Sequence, residues 1–239
     1  MQHLVIIPTY NEIENITDIV ETVFQLTTPF HILIVDDNSP DGTADAVKRM
    51  QAQFQNRLFL EIRNEKTGLG TAYIHGFKWA LENGYDTIFE MDADFSHNPD
   101  DLERLLSVLM DGADVAVGSR YVKGVNVVNW PMYRVLLSYG ASIYVKTITG
   151  MKVNDPTAGF VGYRRKVLET INLDSIRFVG YAFQIEMKFR AYLKKFKIEE
   201  VSVIFRDRTK GQSKMNSSIV REAIFGVLSM KLRSFFKRH

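Results

Sequence analysis

The chain has no cysteine. That excludes a disulfide framework, a thiolate metal site and a thiol nucleophile, and it fits a reducing compartment. Long hydrophobic runs are also missing: none approaches the ~20 residues that a membrane-spanning helix needs. No basic leader with a small-residue cleavage site precedes Leu4-Val5-Ile6-Ile7, so no secretory signal is expected. Internal repeats and low-complexity linkers are absent as well. What remains is a 239-residue chain with 46% apolar residues, enough for one α/β domain.

Charge of one sign is scarce overall but not locally. The formal net charge is +2. From Arg206 to the C-terminus, nine lysines and arginines face only Asp207 and Glu222, which leaves the rest of the chain acidic. A basic end of this kind suits an anionic partner such as phosphates, lipid headgroups or nucleic acid.

Short apolar runs alternate with helical patterns. Strands are expected over 3–7, 30–35, 58–62, 87–91 and 113–117; helices follow the first three to about residues 26, 54 and 83, and another begins at Asn98-Pro99. Asn11 with Glu14 reads as a helix cap, as does Asn98-Pro99. This spacing implies βαβ units and a mostly parallel sheet with helices on both faces. In such sheets ligands bind beyond the carboxyl ends of the strands. Three polar clusters occupy those ends: Pro8–Glu12, Val35–Asp41 and Asp92–Ser96. One acidic strand end is usually just a helix cap; three are expected to share a crevice.

Thr87-Ile88-Phe89-Glu90-Met91-Asp92-Ala93-Asp94 is the stretch the rest is organised around. Residues i and i+2 of an extended segment point to one side, so Asp92 and Asp94 are expected to aim together. Their repulsion calls for an offset, by a shared proton, basic partners or a divalent cation. Oxygen ligands suit Mg²⁺ or Mn²⁺. Gly68-Leu69-Gly70 is no dinucleotide fingerprint, because Tyr73 stands at the third glycine position and the segment follows the third strand. Its glycines serve a tight turn or a close backbone approach.

After residue 118 the chemistry turns basic. Arg120 and Arg134 together suit a phosphate fork. A strand is expected over 161–164, a helix over 180–193 and a strand over 198–205. The loop 206–216 is basic and contains a glycine. The last helix, about 217–236, places Val220, Ile224, Leu228, Leu232 and Phe235 along one side. Its first half is expected to pack on the domain. Its second half, with Phe235-Phe236 among Lys231, Arg233, Lys237 and Arg238, suits a membrane surface.

Taken together, Pro8-Thr9-Tyr10-Asn11-Glu12, Val35-Asp36-Asp37-Asn38-Ser39 and Asp92-Ala93-Asp94 with Ser96-His97 resemble the nucleotide-sugar half of inverting family 2 glycosyltransferases, which have the GT-A fold. Gly118-Ser119-Arg120-Tyr121, the string Gly180-Tyr181-Ala182-Phe183-Gln184-Ile185-Glu186-Met187, and Arg208 with Ser213-Lys214 are similar to polyprenol- and dolichol-phosphate mannose synthases. The resemblance implies a single domain over 1–239, divided into a nucleotide-sugar and metal half (1–124), an acceptor half (125–205), a basic loop (206–216) and a membrane-facing helix (217–239). It implies GDP-mannose as donor and a polyisoprenyl phosphate as acceptor. It further implies a short, peripheral form on the cytoplasmic face of a membrane, with a membrane-protein partner conceivable and no nucleic acid.

Carried over position by position, it assigns Pro8, Tyr10, Glu12, Val35 and Asp37 to the nucleoside. Asp92, Ala93 and Asp94 go to the diphosphate and its Mg²⁺ or Mn²⁺, with Arg208 and Lys214 closing over it. Arg120, Arg134 and Ser138 go to the acceptor phosphate, and Arg120 also to the donor. Ser96 stands where some relatives have a glutamine metal ligand. A phosphate acceptor needs no general base, whereas a hydroxyl acceptor would require one, and Asp155 is then the candidate. The rival readings are another family 2 transferase using UDP-glucose or a hydroxyl acceptor, a nucleotidyltransferase (which lacks its glycine- and arginine-rich first loop here), and a silent nucleotide-binding module.

Overall fold

The computed structural model describes residues 1–180, 182–207 and 217–236, with the side chains of 217–224 and 236 left aside. Its strands are β1 (His3–Thr9), β2 (His31–Asp36), β3 (Leu58–Ile62), β4 (Thr87–Glu90), β5 (Val115–Ser119), β6 (Val127–Val128), β7 (Val161–Arg164), β8 (Ile198–Ser202) and β9 (Phe205–Arg206). The helices are α1 (Ile16–Phe24), α2 (Thr43–Gln51), α3 (Leu69–Glu82), α4 (Asp101–Met110), α5 (Met132–Thr149), α6 (Arg165–Thr170), α7 (Ala182–Leu193) and α8 (Ser217–Phe236).

Seven strands form one sheet in the order β3-β2-β1-β4-β7-β5-β8. All neighbours are parallel except β7, which runs antiparallel between β4 and β5. Alternate residues of each strand feed two cores. Val5, Ile7, Ile32, Ile34 and Phe89 pack under α1, α2 and α4, while Leu4, Ile6, Leu33, Val35 and Ile88 pack under α3, α6 and α7. Burial on both faces is what near-continuous Val/Ile/Leu strands require. A third, smaller core joins α5, α7 and α8 through Val145, Ile185, Phe189, Val227 and Met230.

One expected helix start is corrected. Asn11 has a left-handed φ of 60°, and α1 begins only at Ile16. The backbone N–H groups of Asn11, Glu12 and Ile13 donate instead to Ser39 Oγ, Thr43 Oγ1 and Asp41 Oδ2. The loop after β2 thus satisfies the donors a helix would have used. At Asn98-Pro99 the expected cap is present: Asp100 N donates to Asn98 Oδ1 at 3.3 Å, Asp101 N and Leu102 N donate to Asn98 O and Pro99 O, and α4 follows from Asp101.

The glycines at 68 and 70 serve a protein neighbour. A Cβ on Gly70 would lie 2.8 Å from the Phe183 ring, and one on Gly68 2.9 Å from Val179 O. Gly70 N donates to Val179 O, so this turn is where the 178–183 segment closes on α3.

Val227 and Met230 of α8 face the core, while Leu228, Leu232 and Phe235 of the expected stripe are exposed. The packing expected of its first half falls on side chains outside the described set. No helix among the described residues is long and apolar enough to cross a membrane.

Candidate active site

β2, β1 and β4 are parallel neighbours, so their carboxyl ends share one edge of the sheet. Hydrogen bonds tie the first two polar clusters together. Thr9 Oγ1 donates to Asp36 Oδ2 at 2.7 Å, Asp37 N to Thr9 O at 3.0 Å, and Ser39 N and Oγ both to Asp36. Asp36 is fully buried and acts as the joint. Asp37 beside it is the residue assigned to the nucleoside. Burial pushes its carboxyl up, only partly offset by Arg63, whose Nε donates to Asp37 Oδ1 at 2.6 Å. Arg63 also donates to Thr71 Oγ1. Sequence reasoning missed Arg63, since nothing local marks an arginine whose partner lies 26 residues away. Val35 is buried, and Pro8, Tyr10 and Glu12 are half-buried. Lys66 lies over the Tyr10 ring at 4.1 Å, and Glu12 Oε2 accepts Asn15 Nδ2.

The strand β4 ends at Glu90, so Asp92 and Asp94 sit in the turn beyond it. The strand-alternation argument for their common direction is therefore replaced by the geometry of the turn. Asp92 N donates to His97 Nδ1 at 3.2 Å, Ser96 N donates to Asp94 Oδ1 at 3.0 Å, and Phe95 takes a left-handed φ of 58°. Asp94, Ser96 and His97 are buried and Asp92 is half-buried. Burial pushes His97 down to about 4, with Arg120 adding to the effect and Asp94 opposing it. The imidazole is thus neutral, with Nδ1 accepting and Nε2 carrying the proton. Behind the turn Glu90 is fully buried, and burial raises its carboxyl to about 8 against the pull of Lys188.

Among the described residues no three His, Cys, Asp or Glu side chains gather as a metal group. A cation at this turn would take carboxylate oxygens from Asp92 and Asp94 and complete its shell from a diphosphate or water. That all-oxygen donor set fits Mg²⁺ or Mn²⁺. The backbone of Ser96 is already engaged by Asp94 and by Arg206 N. A cavity of about 360 Å³ opens beside Asp94, lined by Phe95, Asn98, Pro99, Arg206 and Asp207.

The basic half is built around Arg120 and Arg134, and Arg134 pairs with Asp207 of the cavity lining. Arg120 is buried, and both its side-chain edge and its backbone are held by Asp155: N and Nε donate to Oδ2 at 3.0 and 2.7 Å, and Nη2 to Oδ1 at 2.7 Å. Thr157 Oγ1 accepts Nη2 as well. Burial raises Asp155, but the charge and hydrogen bonds of Arg120 outweigh it and leave the carboxyl below its usual range. Glu200 of β8 in turn accepts the backbone N–H of Asn154 and Asp155. Asp155 is thereby engaged in holding Arg120. Arg134, less buried, pairs through Nη1 with Asp207 Oδ1 at 2.8 Å. Ser138 Oγ accepts Tyr121 Oη at 2.8 Å. The structure brings Arg120 and Arg134 to one ring, Trp130, at 5.7 and 4.0 Å. Arg208 and Lys214 lie outside the described residues.

Comparison with known proteins gives the family and the fold. The model of glycosyl transferase family 2 matches residues 4–171. A polyprenol monophosphomannose synthase of Mycolicibacterium smegmatis is 46% identical over 98% of this chain and 89% of its own length. An undecaprenyl-phosphate mannosyltransferase of Micrococcus luteus is 44% identical over 95% of this chain and 93% of its own. Among solved structures, glucosyl-3-phosphoglycerate synthase of Mycobacterium tuberculosis with Mn²⁺, UDP and phosphoglyceric acid superposes with TM-score 0.71 at 16% identity, covering 96% of this chain and 78% of that one. A mannosyltransferase of Pyrobaculum calidifontis with GDP-Man and Mn²⁺ gives 0.60 at 16%, covering 98% and 74%. The chain therefore belongs to glycosyl transferase family 2, among the polyprenol-phosphate mannose synthases.

Proposed function

We propose that this protein transfers mannose from GDP-mannose to a polyisoprenyl phosphate at the cytoplasmic face of a membrane, with inversion. One observation carries the acceptor assignment. The helix that bears Arg134 and Ser138 turns an apolar face to solvent: Met132, Tyr133, Leu136, Leu137 and Ile143 are 50–70% exposed. A basic group set into an exposed apolar helix suits an amphiphile with a phosphate head and a hydrocarbon tail, and a bilayer around it. Leu228, Leu232 and Phe235 of α8 extend the exposed apolar surface. The names of the relatives point the same way for sugar and acceptor, and the structural neighbour with GDP-Man supports the donor.

The residues divide the work. Asp37, Tyr10 and their neighbours hold the nucleoside, and Asp92 and Asp94 would hold Mg²⁺ or Mn²⁺ beside the diphosphate. When bound, the cation offsets charge on the departing diphosphate. Arg120 and Arg134 orient the acceptor phosphate, which is already anionic and gives up no proton during attack. An acceptor oxygen bonds to the anomeric carbon as the bond to the GDP oxygen breaks, so an α-linked donor yields a β-linked mannosyl phosphate. The engagement of Asp155 with Arg120 agrees with a reaction that needs no base there.

Incubation with radiolabelled GDP-mannose and vesicles carrying a polyprenyl phosphate tests this. Label extractable into organic solvent is expected; label that stays water-soluble at every metal concentration would sink the proposal.

A further inference from the structure

Between the two arginines stands Trp130, a residue that the chemistry above leaves without a task. Its ring carries the Arg134 guanidinium at 4.0 Å and that of Arg120 at 5.7 Å. It meets Phe205 edge-on at 5.3 Å and 74°, and Phe205 meets His97 edge-on at 5.5 Å and 80°. His97 stacks on Phe160 at 4.9 Å and accepts the backbone N–H of Asp92. A column of rings therefore runs from the turn with the paired aspartates to the basic pair.

Backbone contacts brace the column on both sides. Phe205 N donates to Asn126 O, Asp207 N to Val128 O and Arg206 N to Ser96 O, so the β6–β9 ribbon is tied to the aspartate turn and to the lead into α5. The indole Nε1 of Trp130 is buried and has no hydrogen-bond partner among the described residues. The ring is thus used for its face.

That choice has a chemical consequence. A carboxylate that fixes an arginine consumes its N–H donors, as Asp155 does along Arg120. An aromatic face fixes the plane of a guanidinium by cation–π attraction and leaves the N–H edge for a phosphate. On Arg134, Asp207 takes one nitrogen, Nη1, while the Trp130 ring centroid lies 4.0 Å from its Cζ.

Resting on the function proposed above, we propose that Trp130 is a positioning residue for the transfer. It holds Arg134 flat and in fixed relation to the aspartate turn, so that the acceptor phosphate is delivered to the donor sugar. Phe205 and His97 transmit that placement.

Steady-state kinetics on the full chain test it, with GDP-mannose and a short polyprenyl phosphate varied separately. Trp130→Leu keeps an apolar side chain but loses the π face, and is expected to raise the acceptor KM about five- to tenfold, the worth of one partly desolvated cation–π contact. The GDP-mannose KM is expected to stay within about twofold. Trp130→Phe restores a face, though a weaker one, and should bring the acceptor KM back to within about threefold of wild type. In an Arg134→Ala background, Trp130→Leu should add nothing further, because the two act as a unit. Should Leu not be tolerated, Trp130→Met removes the ring in the same way. An unchanged acceptor KM in Trp130→Leu, a Phe variant as impaired as the Leu variant, or an additive effect on top of Arg134→Ala would each overturn the inference while leaving the function intact. Absence of transfer by the wild-type chain to any polyprenyl phosphate would overturn both.

Discussion

Asp155 grips Arg120 at three points, with Oδ2 accepting the arginine's own backbone N–H and its Nε, and Oδ1 accepting Nη2. Both side chains are buried. A carboxylate so engaged fixes a cation in place.

Asp155→Asn tests this. Removing one charge of a buried pair strands the other, at a cost of about 3–5 kcal/mol, less where the amide keeps one acceptor. A chemical melt at pH 7 should show a loss of a few kcal/mol, while turnover falls about ten- to a hundredfold and stays measurable. Complete loss of turnover in a folded variant would instead indicate a base. The pH dependence has a defined sign. The folded-state pKa of Asp155 lies below the ordinary 3.8, so its contribution is complete above that value and is lost as pH falls through the depressed one. The stability gap between wild type and Asn should therefore be constant from pH 5 to 8 and narrow below about pH 4.

Much of this was legible in the sequence. The parallel strands read as short apolar runs because both their faces are buried, and the clusters 8–12, 35–41 and 92–96 stood at strand ends because parallel order puts them there. The helix start at Asn11 differs from the local reading, since the loop after β2 takes the backbone donors of 11–13. The antiparallel insertion of β7 leaves no mark on Val161–Arg164, whose pattern is the same in either direction. Arg63 and Trp130 act through partners distant in sequence or through a ring face, which no spacing rule encodes.

Arg134→Ala should raise the acceptor KM about ten- to a hundredfold, the worth of charge-assisted hydrogen bonds to a phosphate. Binding of GDP, measured by calorimetry, should not change by more than about twofold. Equal loss of donor and acceptor affinity would move Arg134 out of the acceptor site.

Asp94→Asn should abolish the metal dependence of GDP binding and lower transfer by at least about a hundredfold, and a chelator should do the same to wild type. GDP affinity that is indifferent to chelator and to this substitution would remove the cation from the aspartate turn.

The exposed face of α5 should bind bilayers. Leu136→Glu with Leu137→Glu falls on side chains 64% and 62% exposed, so the melting temperature should hold. Sedimentation with anionic vesicles should drop several-fold. Undiminished sedimentation would shift membrane contact elsewhere.

Gly70→Ala should destabilise by about 1–3 kcal/mol, because its Cβ would sit 2.8 Å from the Phe183 ring in a packed core. Urea titration measures it; a neutral result would mean that the 178–183 segment yields freely.

The central claim is that the acceptor is a lipid phosphate and needs no base. It is tested most directly by offering the enzyme GDP-mannose or UDP-glucose, each with polyprenyl phosphate or with the corresponding free polyprenol, in the presence of Mg²⁺ or Mn²⁺. The account predicts metal-dependent transfer of mannose to the phosphate alone, retained in part by Asp155→Asn. Transfer to the free alcohol, or transfer from UDP-glucose only, would contradict it.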